Sequence, residues 1–429
     1  MWDGTHGKGG SDGVSEEGPV LIESVAAGGD GVGRLADGMT VFVPRTAPGD
    51  RVTLTAVRRR RRHAHAALDR LLEPGPGRVE PRCTHFTRDR CGGCQWQHLS
   101  AEAQAAAKRR VVGDALRRIG GLAVEDPPLV PSPRAFGYRA TITLTVRWTS
   151  AGPEAGFHRD DPGEPVFPLE RCEIARDEVL ALWAALRPAL GALPRGNDVR
   201  LKLRVAPDGA LHVVVGGGDG AWTTPQPLGA AAAAAGIPAT VWWEPTGGAV
   251  RRMAGPPAER GAVAFEQVNP EVAGGLRAAV LAAVPPATGR ALDLYAGAGE
   301  VGLALASLGW DAVAVESDGG ATARAAERVR SARSTLRVVT DRVERCLEGL
   351  LPADLVVANP PRAGLDEVVT GGLAARPPER LIYVSCDPAT LGRDLRRLGA
   401  DPTRLSVTCY DMFPQTSHVE TLAVLEGAR

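Results

Sequence analysis

Four cysteines in this 429-residue chain have a spacing that can bind metal. Cys83, Cys91 and Cys94 have seven and two residues between them, and Cys172 follows in the segment RCEIA. The CGGC turn allows two thiolates to reach one metal, and four thiolates complete either a zinc site or a [4Fe-4S] cluster. The spacing leaves these two alternatives open.

A second set of residues follows apolar runs in the C-terminal half of the chain. The motif DLYAGAG at residues 293–299 comes after one apolar run and opens a helical one. Its glycines would let the backbone pass close to a ligand at a helix N-terminus. Glu316 lies 17 residues beyond Gly299 (316 minus 299), where a carboxylate can accept hydrogen bonds from ribose hydroxyls. This order and spacing fit either NAD or S-adenosylmethionine.

Two later motifs favour methyl transfer. NPPR at residues 359–362 follows the run DLVVA, and SCDP at residues 385–388 follows LIYV. Because ligands bind at the carboxyl ends of parallel strands, we expect both motifs to line one crevice. In amino-group methyltransferases, an aromatic residue that stacks on a base typically follows Asn-Pro-Pro. Arg362 occupies that position here, which makes methylation of an exocyclic amine less attractive.

The composition limits the class of protein. Hydrophobic residues make up 44% of the chain and charged residues 23%, which argues against a wholly disordered or collagen-like protein. The chain contains no apolar run of about 18 residues and no N-terminal secretory pattern, so we expect a cytoplasmic protein. Disulfides are rare in that compartment, so the seven cysteines must be explained by metal binding, catalysis or burial.

The formal net charge is zero, but it is unevenly distributed. Residues 51–118 contain sixteen Lys or Arg against six Asp or Glu. The densest part is a run of five arginines at residues 58–62, followed by His63 and His65. Such a run is suited to contacting phosphates, although a solvated strand end is the alternative interpretation.

The elements that must position these residues fall into three folded regions. Five short β-like runs between residues 20 and 72 predict a small barrel, and a helix is expected over residues 101–119. Strand-like runs from Tyr138 onwards predict an antiparallel central domain, with loops near residue 230 and over 245–260. The alanines near residue 230 would by themselves also permit a helix. From residue 261, apolar runs alternating with helices predict an α/β, doubly wound, Rossmann-like sheet. The expected boundaries are a disordered tail at 1–17, the barrel at 18–74, the central domain at 75–260 and the sheet domain at 261–429.

The motifs together resemble a known family. QVNP at 267–270, DLYAGAG, ANPPRAG, YVSCDPATLGRDL and DMFPQTSHVETL occur in the order found in uracil-C5 RNA methyltransferases of the TrmA/RumA type. The barrel segment resembles a TRAM domain, an OB-like RNA-binding module. The resemblance covers about residues 18–429. It implies transfer of a methyl group from S-adenosylmethionine to C5 of a uridine in RNA.

The resemblance also implies roles for individual residues. Cys386 would add to C6 of the uracil as a thiolate, because C5 by itself is a poor nucleophile, and Glu420 would then remove the C5 proton. A [4Fe-4S] cluster is favoured over zinc at Cys83, Cys91, Cys94 and Cys172. The residues implied for S-adenosylmethionine binding are Gln267, Tyr295, Glu300, Glu316, Asp341 and Asn359.

The substrate is expected to be ribosomal RNA, with 23S rRNA preferred. NPPR, DMFP and the cysteine spacing resemble the branch that acts on that RNA, and Asn359, where many members have Asp, is taken as a mark of that subfamily. One alternative is methylation of the tRNA T-loop, and another is a catalytically silent RNA-binding Fe-S protein. The sequence implies neither a membrane partner nor an oligomer.

Overall fold

The structure is a computed structural model. It describes residues 17–160, 166–196, 198–218, 221–258, 266–286 and 288–427. The chain forms two compact units, one of Met1–Pro81 with Gln95–Ala107 and one of Arg82–Cys94 with Lys108–Arg429. The expected disordered tail at 1–17 lies outside the described residues except for Glu17, where the first strand begins. Every described helix is too short or too polar to cross a membrane.

The first unit contains a closed five-stranded barrel, which confirms the barrel predicted from the sequence. Its strands are β1 (Glu17–Val25), β2 (Gly31–Arg34), β3 (Thr40–Val43), β4 (Arg51–Arg59) and β5 (His63–Glu73), joined in the order β1-β2-β3-β5-β4. Alternate residues such as Val41 and Ala64 are fully buried in the barrel core, so their neighbours point outwards. Two helices follow along the chain, α1 (Thr84–Arg88) and α2 (Ala101–Arg118), and α2 confirms the helix expected there.

The second unit contains a seven-stranded sheet built largely from antiparallel pairs. Its strands are β7 (Thr141–Thr149), β8 (Gly152–Phe157), β9 (Phe167–Pro168), β10 (Arg200–Val205), β11 (Leu211–Gly216), β12 (Ala239–Glu244) and β13 (Arg251–Ala254), in the order β13-β12-β11-β10-β7-β8-β9. Helices α3 (Asp177–Leu186) and α4 (Gln226–Ala234), with a 3-10 helix at Arg187–Ala192, pack on one face.

Two loop expectations in this region are wrong. Residues 226–234 form α4, because alanine has the highest intrinsic helix propensity and Leu228 and Ala232 bury one face of the helix. Residues 251–254 form β13, an edge strand that gains its hydrogen bonds by pairing with β12. The Gly/Pro-rich sequence around β13 gave no period-2 signal from which to predict it.

An eight-stranded sheet completes the second unit. Its strands are β6 (Leu129–Val130), β14 (Arg290–Leu294), β15 (Asp311–Glu316), β16 (Arg337–Thr340), β17 (Leu355–Ala358), β18 (Arg380–Ser385), β19 (Leu405–Tyr410) and β20 (Glu420–Glu426). The order is β16-β15-β14-β17-β18-β20-β19-β6. The helices are α5 (Pro270–Ala282), α6 (Glu300–Ser307), α7 (Gly319–Ala332), α8 (Val343–Leu350), α9 (Glu367–Ala375) and α10 (Pro388–Arg397), with a 3-10 helix at Pro402–Arg404.

Both faces of this sheet are covered, as a doubly wound sheet requires. Leu292 and Val313 enter one apolar cluster, whereas Ala291 and Ala312 enter another. The chain proceeds from β14 to β15 and β16 on one side and then returns to β17 and β18 on the other. The strand order therefore reverses between β14 and β17, and such a reversal opens a crevice for ligands at the carboxyl ends of the strands.

Candidate active site

The carboxyl edge of the eight-stranded sheet brings together five residues predicted from separate motifs. Asp341 follows β16, Glu316 ends β15, Tyr295 follows β14, Asn359 follows β17 and Cys386 follows β18. These five strands pair in parallel, so their carboxyl ends all face the same way. The arrangement provides one continuous edge on which a donor and an acceptor of a group can meet.

Cys386 and Glu420 come together because β20 runs antiparallel to β18. Ser385 pairs with Thr421 in the register, and the Thr421 Oγ1 hydroxyl donates a 2.9 Å hydrogen bond to the Ser385 carbonyl. The next position outward therefore places Cys386 opposite Glu420. Glu420 is 3% exposed, and Cys386 is half-buried.

Burial sets the ionisation of both groups. It raises the pKa of Glu420 to about 7, with the positive charge of Arg362 acting in the opposite direction. Burial also raises the pKa of the Cys386 thiol, and the nearby Glu420 carboxylate raises it further. Arg362 opposes both effects on Cys386 by its charge and by a hydrogen bond. Arg362 thus lowers the pKa of both the thiol and the carboxyl. It was not among the residues predicted for the site.

His418 extends this group towards the solvent. Nη2 of Arg362 lies 3.3 Å from Nδ1 of His418, whose ring also packs edge-on against Phe413 at 5.9 Å. The exposed Arg362 side chain is therefore held at its outer end while it faces Cys386. The sequence did contain a signal for the role of Arg362, because this arginine follows Asn-Pro-Pro at the position where amino-group methyltransferases have an aromatic residue.

The glycine-rich turn after β14 is organised around the Glu316 carboxylate. Gly297 and Gly299 have φ angles of 54° and 73°, in the left-handed region that favours glycine. The Gly297 N–H donates to one carboxylate oxygen of Glu316 at 2.9 Å, and the Asp318 N–H donates to the other at 2.8 Å. The carboxylate therefore has a fixed orientation beside the turn from which α6 begins.

Asp293 is a buried acid in this motif that was not predicted as a site residue. It is 4% exposed, and its Oδ2 accepts a 2.8 Å hydrogen bond from the Gly302 N–H in α6. Burial raises the pKa of Asp293 to about 7, and the Glu316 charge raises it as well. Its contact fixes α6 to the end of β14, and the signal for it was an acid inside the apolar run ALDL.

Two predicted ligand residues have their carboxylates occupied by neighbours. Glu300 forms ion pairs of 2.7 Å with Arg277 and 3.0 Å with Arg328. The Asp341 side chain accepts a 2.7 Å hydrogen bond from the Arg342 N–H. The Asp341 backbone N–H in turn donates to the Glu316 carbonyl at 3.1 Å.

The other predicted ligand residues differ in their surroundings. The Tyr295 hydroxyl donates to Glu344 at 3.4 Å, and the residue has a φ of 61°, which is unusual for a residue other than glycine. Asn359 is exposed and its backbone N–H donates to the Leu294 carbonyl at 3.2 Å. Gln267 is half-buried and lies three residues before α5 begins.

The segment 411–419, which leads into Glu420, is held by a buried lysine. Lys108 is 0% exposed, and its Nζ donates to Asp411 Oδ1 at 2.5 Å and to the Phe413 carbonyl at 3.0 Å. Burial lowers the pKa of Lys108, and Asp411 opposes that change. A lysine without exposed surface is rare unless it is paired, so this contact constrains the segment strongly.

Two further side chains donate hydrogen bonds to backbone carbonyls of the segment 411–419. The Asn269 side chain donates to the Met412 carbonyl at 3.3 Å, and the Tyr138 hydroxyl donates to the Pro414 carbonyl at 3.0 Å. Asn269 also caps α5 by accepting from the Val272 N–H. The residue that caps α5 therefore also helps to hold the segment that leads into Glu420.

Three of the four predicted metal-binding cysteines share one small core. Cys83 and Cys94 are buried together with Tyr138, and Cys172 packs against them. The Cys91 backbone pairs with that of Arg159 nearby in the chain's second unit. Among the described residues, however, no three side chains of Cys, His, Asp or Glu are arranged to hold a single metal ion.

The distances that different metal groups require bear on this result. Four sulfurs around one zinc at 2.3 Å lie about 3.8 Å apart in a tetrahedron. In a [4Fe-4S] cluster each thiolate binds a different iron, so its sulfurs stand further apart. The arrangement of the described cysteines supports neither group directly.

The chain is similar to known RNA methyltransferases. The family model described as tRNA (Uracil-5-)-methyltransferase matches residues 325–428, and the TRAM domain model matches residues 14–68. A 23S rRNA (uracil(1939)-C(5))-methyltransferase RlmD of Thiobacillus denitrificans is 33% identical over 95% of this chain and 99% of its own. An uncharacterized RNA methyltransferase of Thermosynechococcus vestitus is 31% identical over 95% of this chain and 97% of its own.

A solved structure has the same fold. The tRNA (uracil-54, C5)-methyltransferase of Pyrococcus abyssi, in complex with S-adenosyl-L-homocysteine, superimposes with a TM-score of 0.74. It is 24% identical, and the match covers 95% of this chain and 100% of that one. The shared fold therefore extends over nearly the whole chain.

Proposed function

Because this chain belongs to the family of RNA uracil-C5 methyltransferases, we propose that it methylates C5 of a uridine in 23S rRNA through a covalent adduct with Cys386. The observation that carries the mechanism is the Ser385–Thr421 pair, which brings half-buried Cys386, directly after β18, next to buried Glu420 at the start of β20. The choice of 23S rRNA is supported by the near full-length similarity to the Thiobacillus denitrificans protein.

The first step activates C5. The Cys386 thiolate adds to C6 of the uracil, and the electron pair of the C5–C6 double bond moves into an enolate that makes C5 nucleophilic. C5 then attacks the sulfonium methyl of S-adenosylmethionine, the methyl–sulfur bond breaks and S-adenosylhomocysteine leaves. Arg362 assists by favouring the thiolate over the thiol, because its positive charge lowers the pKa of Cys386.

The second step releases the product. Glu420 takes the proton from C5, the C5–C6 double bond reforms and the bond between C6 and the Cys386 sulfur breaks, which returns the thiolate. A general base works best when its pKa lies near the working pH. The pKa of Glu420 at about 7 meets this condition.

The glycine turn and its neighbours would hold the methyl donor. Glu316 lies beside the turn with both carboxylate oxygens already oriented, which suits acceptance of hydrogen bonds from ribose hydroxyls. Glu300 would have to give up an ion pair to contact the ligand. The full proposed set is Gln267, Tyr295, Glu300, Glu316, Asp341 and Asn359.

We also propose that Cys83, Cys91, Cys94 and Cys172 hold a [4Fe-4S] cluster. When bound, it would supply a covalent cross-link between residues 83–94 and residue 172 in the core that contains Tyr138. Protein purified without oxygen should be brown and should contain about four irons and four sulfides per chain. One zinc per chain with no iron would contradict this assignment.

The covalent step can be tested with RNA that contains 5-fluorouridine. Fluorine cannot leave C5 as a proton does, so the methylated adduct should remain attached to the enzyme and migrate with it on a denaturing gel. Cys386→Ala should form no adduct, whereas the control Cys346→Ala, at another half-buried cysteine, should form it normally. An adduct with Cys386→Ala would exclude this residue as the nucleophile.

The substrate requires a separate test, because the matching family model is named for tRNA. Mapping of 5-methyluridine in RNA from cells with and without the gene should show one or more positions lost from 23S rRNA and none from tRNA. Loss of 5-methyluridine from the tRNA T-loop alone would show that the substrate is tRNA and would contradict the choice of 23S rRNA. The predicted cytoplasmic location is part of this proposal.

A further inference from the structure

The outer surface of the barrel carries three aromatic rings in contact. Along β3 and β5, Val41 and Ala64 are fully buried in the core, so Phe42, His63 and His65 lie on the outside. Phe42 and His65 stack with centroids 5.4 Å apart and an interplanar angle of 27°. His63 meets both rings edge-on, at 5.6 Å and 5.1 Å. We call these three residues the ring platform.

The ring platform belongs to a row that crosses four strands. Val32 on β2 pairs with Phe42 on β3, Phe42 pairs with His65 on β5, and His65 pairs with Arg58 on β4. The row therefore runs from an aliphatic side chain through two rings to a cation. His65 and Arg58 are exposed, so this end of the row is open to solvent.

The turn between β4 and β5 adds positive charge beside the rings. It contains Arg60, Arg61 and Arg62, all exposed, and the Arg60 N–H donates to the His63 carbonyl at 2.7 Å. Arg59 differs because it forms a 2.5 Å ion pair with Asp37. Within the described part of the chain, Arg58, Arg60, Arg61 and Arg62 have no carboxylate partner.

The rings and the arginines lie on parts of the barrel that face the ligand in OB-folds. The strand order β1-β2-β3-β5-β4 is that of an OB-fold, in which strands 2 and 3 and the loop between strands 4 and 5 face the ligand. Phe42 lies on strand 3 and the three arginines form the loop between strands 4 and 5. Rings and cations therefore coincide on the face that this barrel type uses for oligonucleotides.

We propose that the ring platform stacks one unpaired nucleobase of RNA while the neighbouring arginines contact the flanking phosphates. This rests on the proposed function, since it assumes an RNA substrate. A base inside a duplex is covered on both faces by its neighbours, so only a single-stranded or looped-out base can reach the rings. Stacking tolerates any base, which makes the platform an anchor for an unpaired segment and not a reader of its sequence.

Binding of two oligomers to the full-length protein tests the stacking. One is oligoadenylate, which offers no uridine to Cys386, and the other is an abasic ribose-phosphate oligomer of equal length and charge. The wild type should bind oligoadenylate roughly tenfold more tightly than the abasic oligomer. Phe42→Leu and His65→Ala should abolish this preference, and Phe42→Tyr, which keeps the ring, should retain it. All four proteins should show the same salt dependence with the abasic oligomer.

The outcomes separate the two proposals. An equal affinity of the wild type for both oligomers, or a full preference in Phe42→Leu and His65→Ala, would overturn the ring platform. Circular dichroism of the barrel variants should match the wild type, since His65 is exposed and leucine preserves apolar contacts at Phe42. Methylation of 23S rRNA measured in parallel reports on the proposed function, whose failure would leave the adenylate result unchanged.

Discussion

The barrel and the carboxyl edge of the eight-stranded sheet use charge in opposite ways. On the barrel, the arginines at residues 58–62 are exposed to solvent. At the sheet edge, Glu420 and Asp293 are 3% and 4% exposed, and burial raises the pKa of each to about 7. One region therefore leaves its cations in contact with solvent, and the other holds Glu420 and Asp293 near the point of protonation.

The difference follows from what each region is proposed to do. Attraction between arginines and phosphates acts through water, grows with the number of contacts and needs permanent charge. Proton transfer at neutral pH needs a group that can exist in both forms, and burial shifts a carboxyl pKa into that range. Substitutions in the two regions should therefore differ in kind as well as in size.

The largest effect is expected from Glu420→Gln. Amide and carboxyl have nearly the same shape, so addition to C6 and methyl transfer should continue while loss of the C5 proton slows by about 10²- to 10⁴-fold. Covalent RNA–enzyme complex should accumulate in single-turnover reactions on ordinary uridine substrate. Glu426→Gln, at the exposed end of the same strand, is the matched control and should turn over normally. Normal product release by Glu420→Gln would move the base to another group.

Next in size is the loss of the buried cation beneath the 411–419 segment. Lys108→Met should leave Asp411 as an uncompensated charge and lower the free energy of unfolding by about 3 kcal/mol in urea titrations. Arg110→Met, at an exposed position of the same helix, should have little effect. Equal stability of the two variants would show that the segment does not depend on this ion pair.

A smaller effect, which depends on pH, is expected from Arg362. Turnover of the wild type should rise as the pH passes through about 7, because Glu420 must be deprotonated to accept the C5 proton. Arg362 lowers the pKa of Cys386, so Arg362→Met should raise that pKa and require more alkaline solution for thiolate formation. Activity at pH 7 should fall roughly tenfold and recover in part in alkaline solution, where more of the thiol is ionised.

A pH–rate profile that is merely lower at every pH would contradict this role of Arg362. Arg396→Met, at an exposed site on α10, should leave the profile unchanged.

The smallest effects are expected from single Arg→Gln substitutions at residues 58–62. Each lost phosphate contact should reduce the slope of log affinity against log salt by roughly 0.7 to 0.9. Arg59→Gln should change the slope least, because Asp37 already neutralises that side chain. The methylated position and the affinity for S-adenosylmethionine should stay the same. Unchanged slopes in all five variants would mean that the arginines form only a solvated strand end.

The sequence alone determined the strands of the barrel and the architecture of the sheet that carries the motifs. Both follow from local patterns, because alternation of apolar and polar residues and short apolar runs can be recognised within a few residues. The sequence also predicted that the motifs at the strand ends lie close together, because the carboxyl ends of parallel strands meet at one edge of the sheet. Helix α4 shows the limit of this reasoning, since its alanine run was compatible with both loop and helix until Leu228 and Ala232 were seen to be buried.

Only the tertiary structure decided which groups face one another and in what state of ionisation. Lys108 and Asp411 are 303 residues apart, and Tyr138 and Pro414 are 276 apart, so no local pattern connects them. Cys386 and Glu420 meet because β20 enters the sheet antiparallel to β18. The raised pKa of Glu420 then arises from burial by many surrounding elements at once, a property of the packed protein that no segment of its sequence possesses.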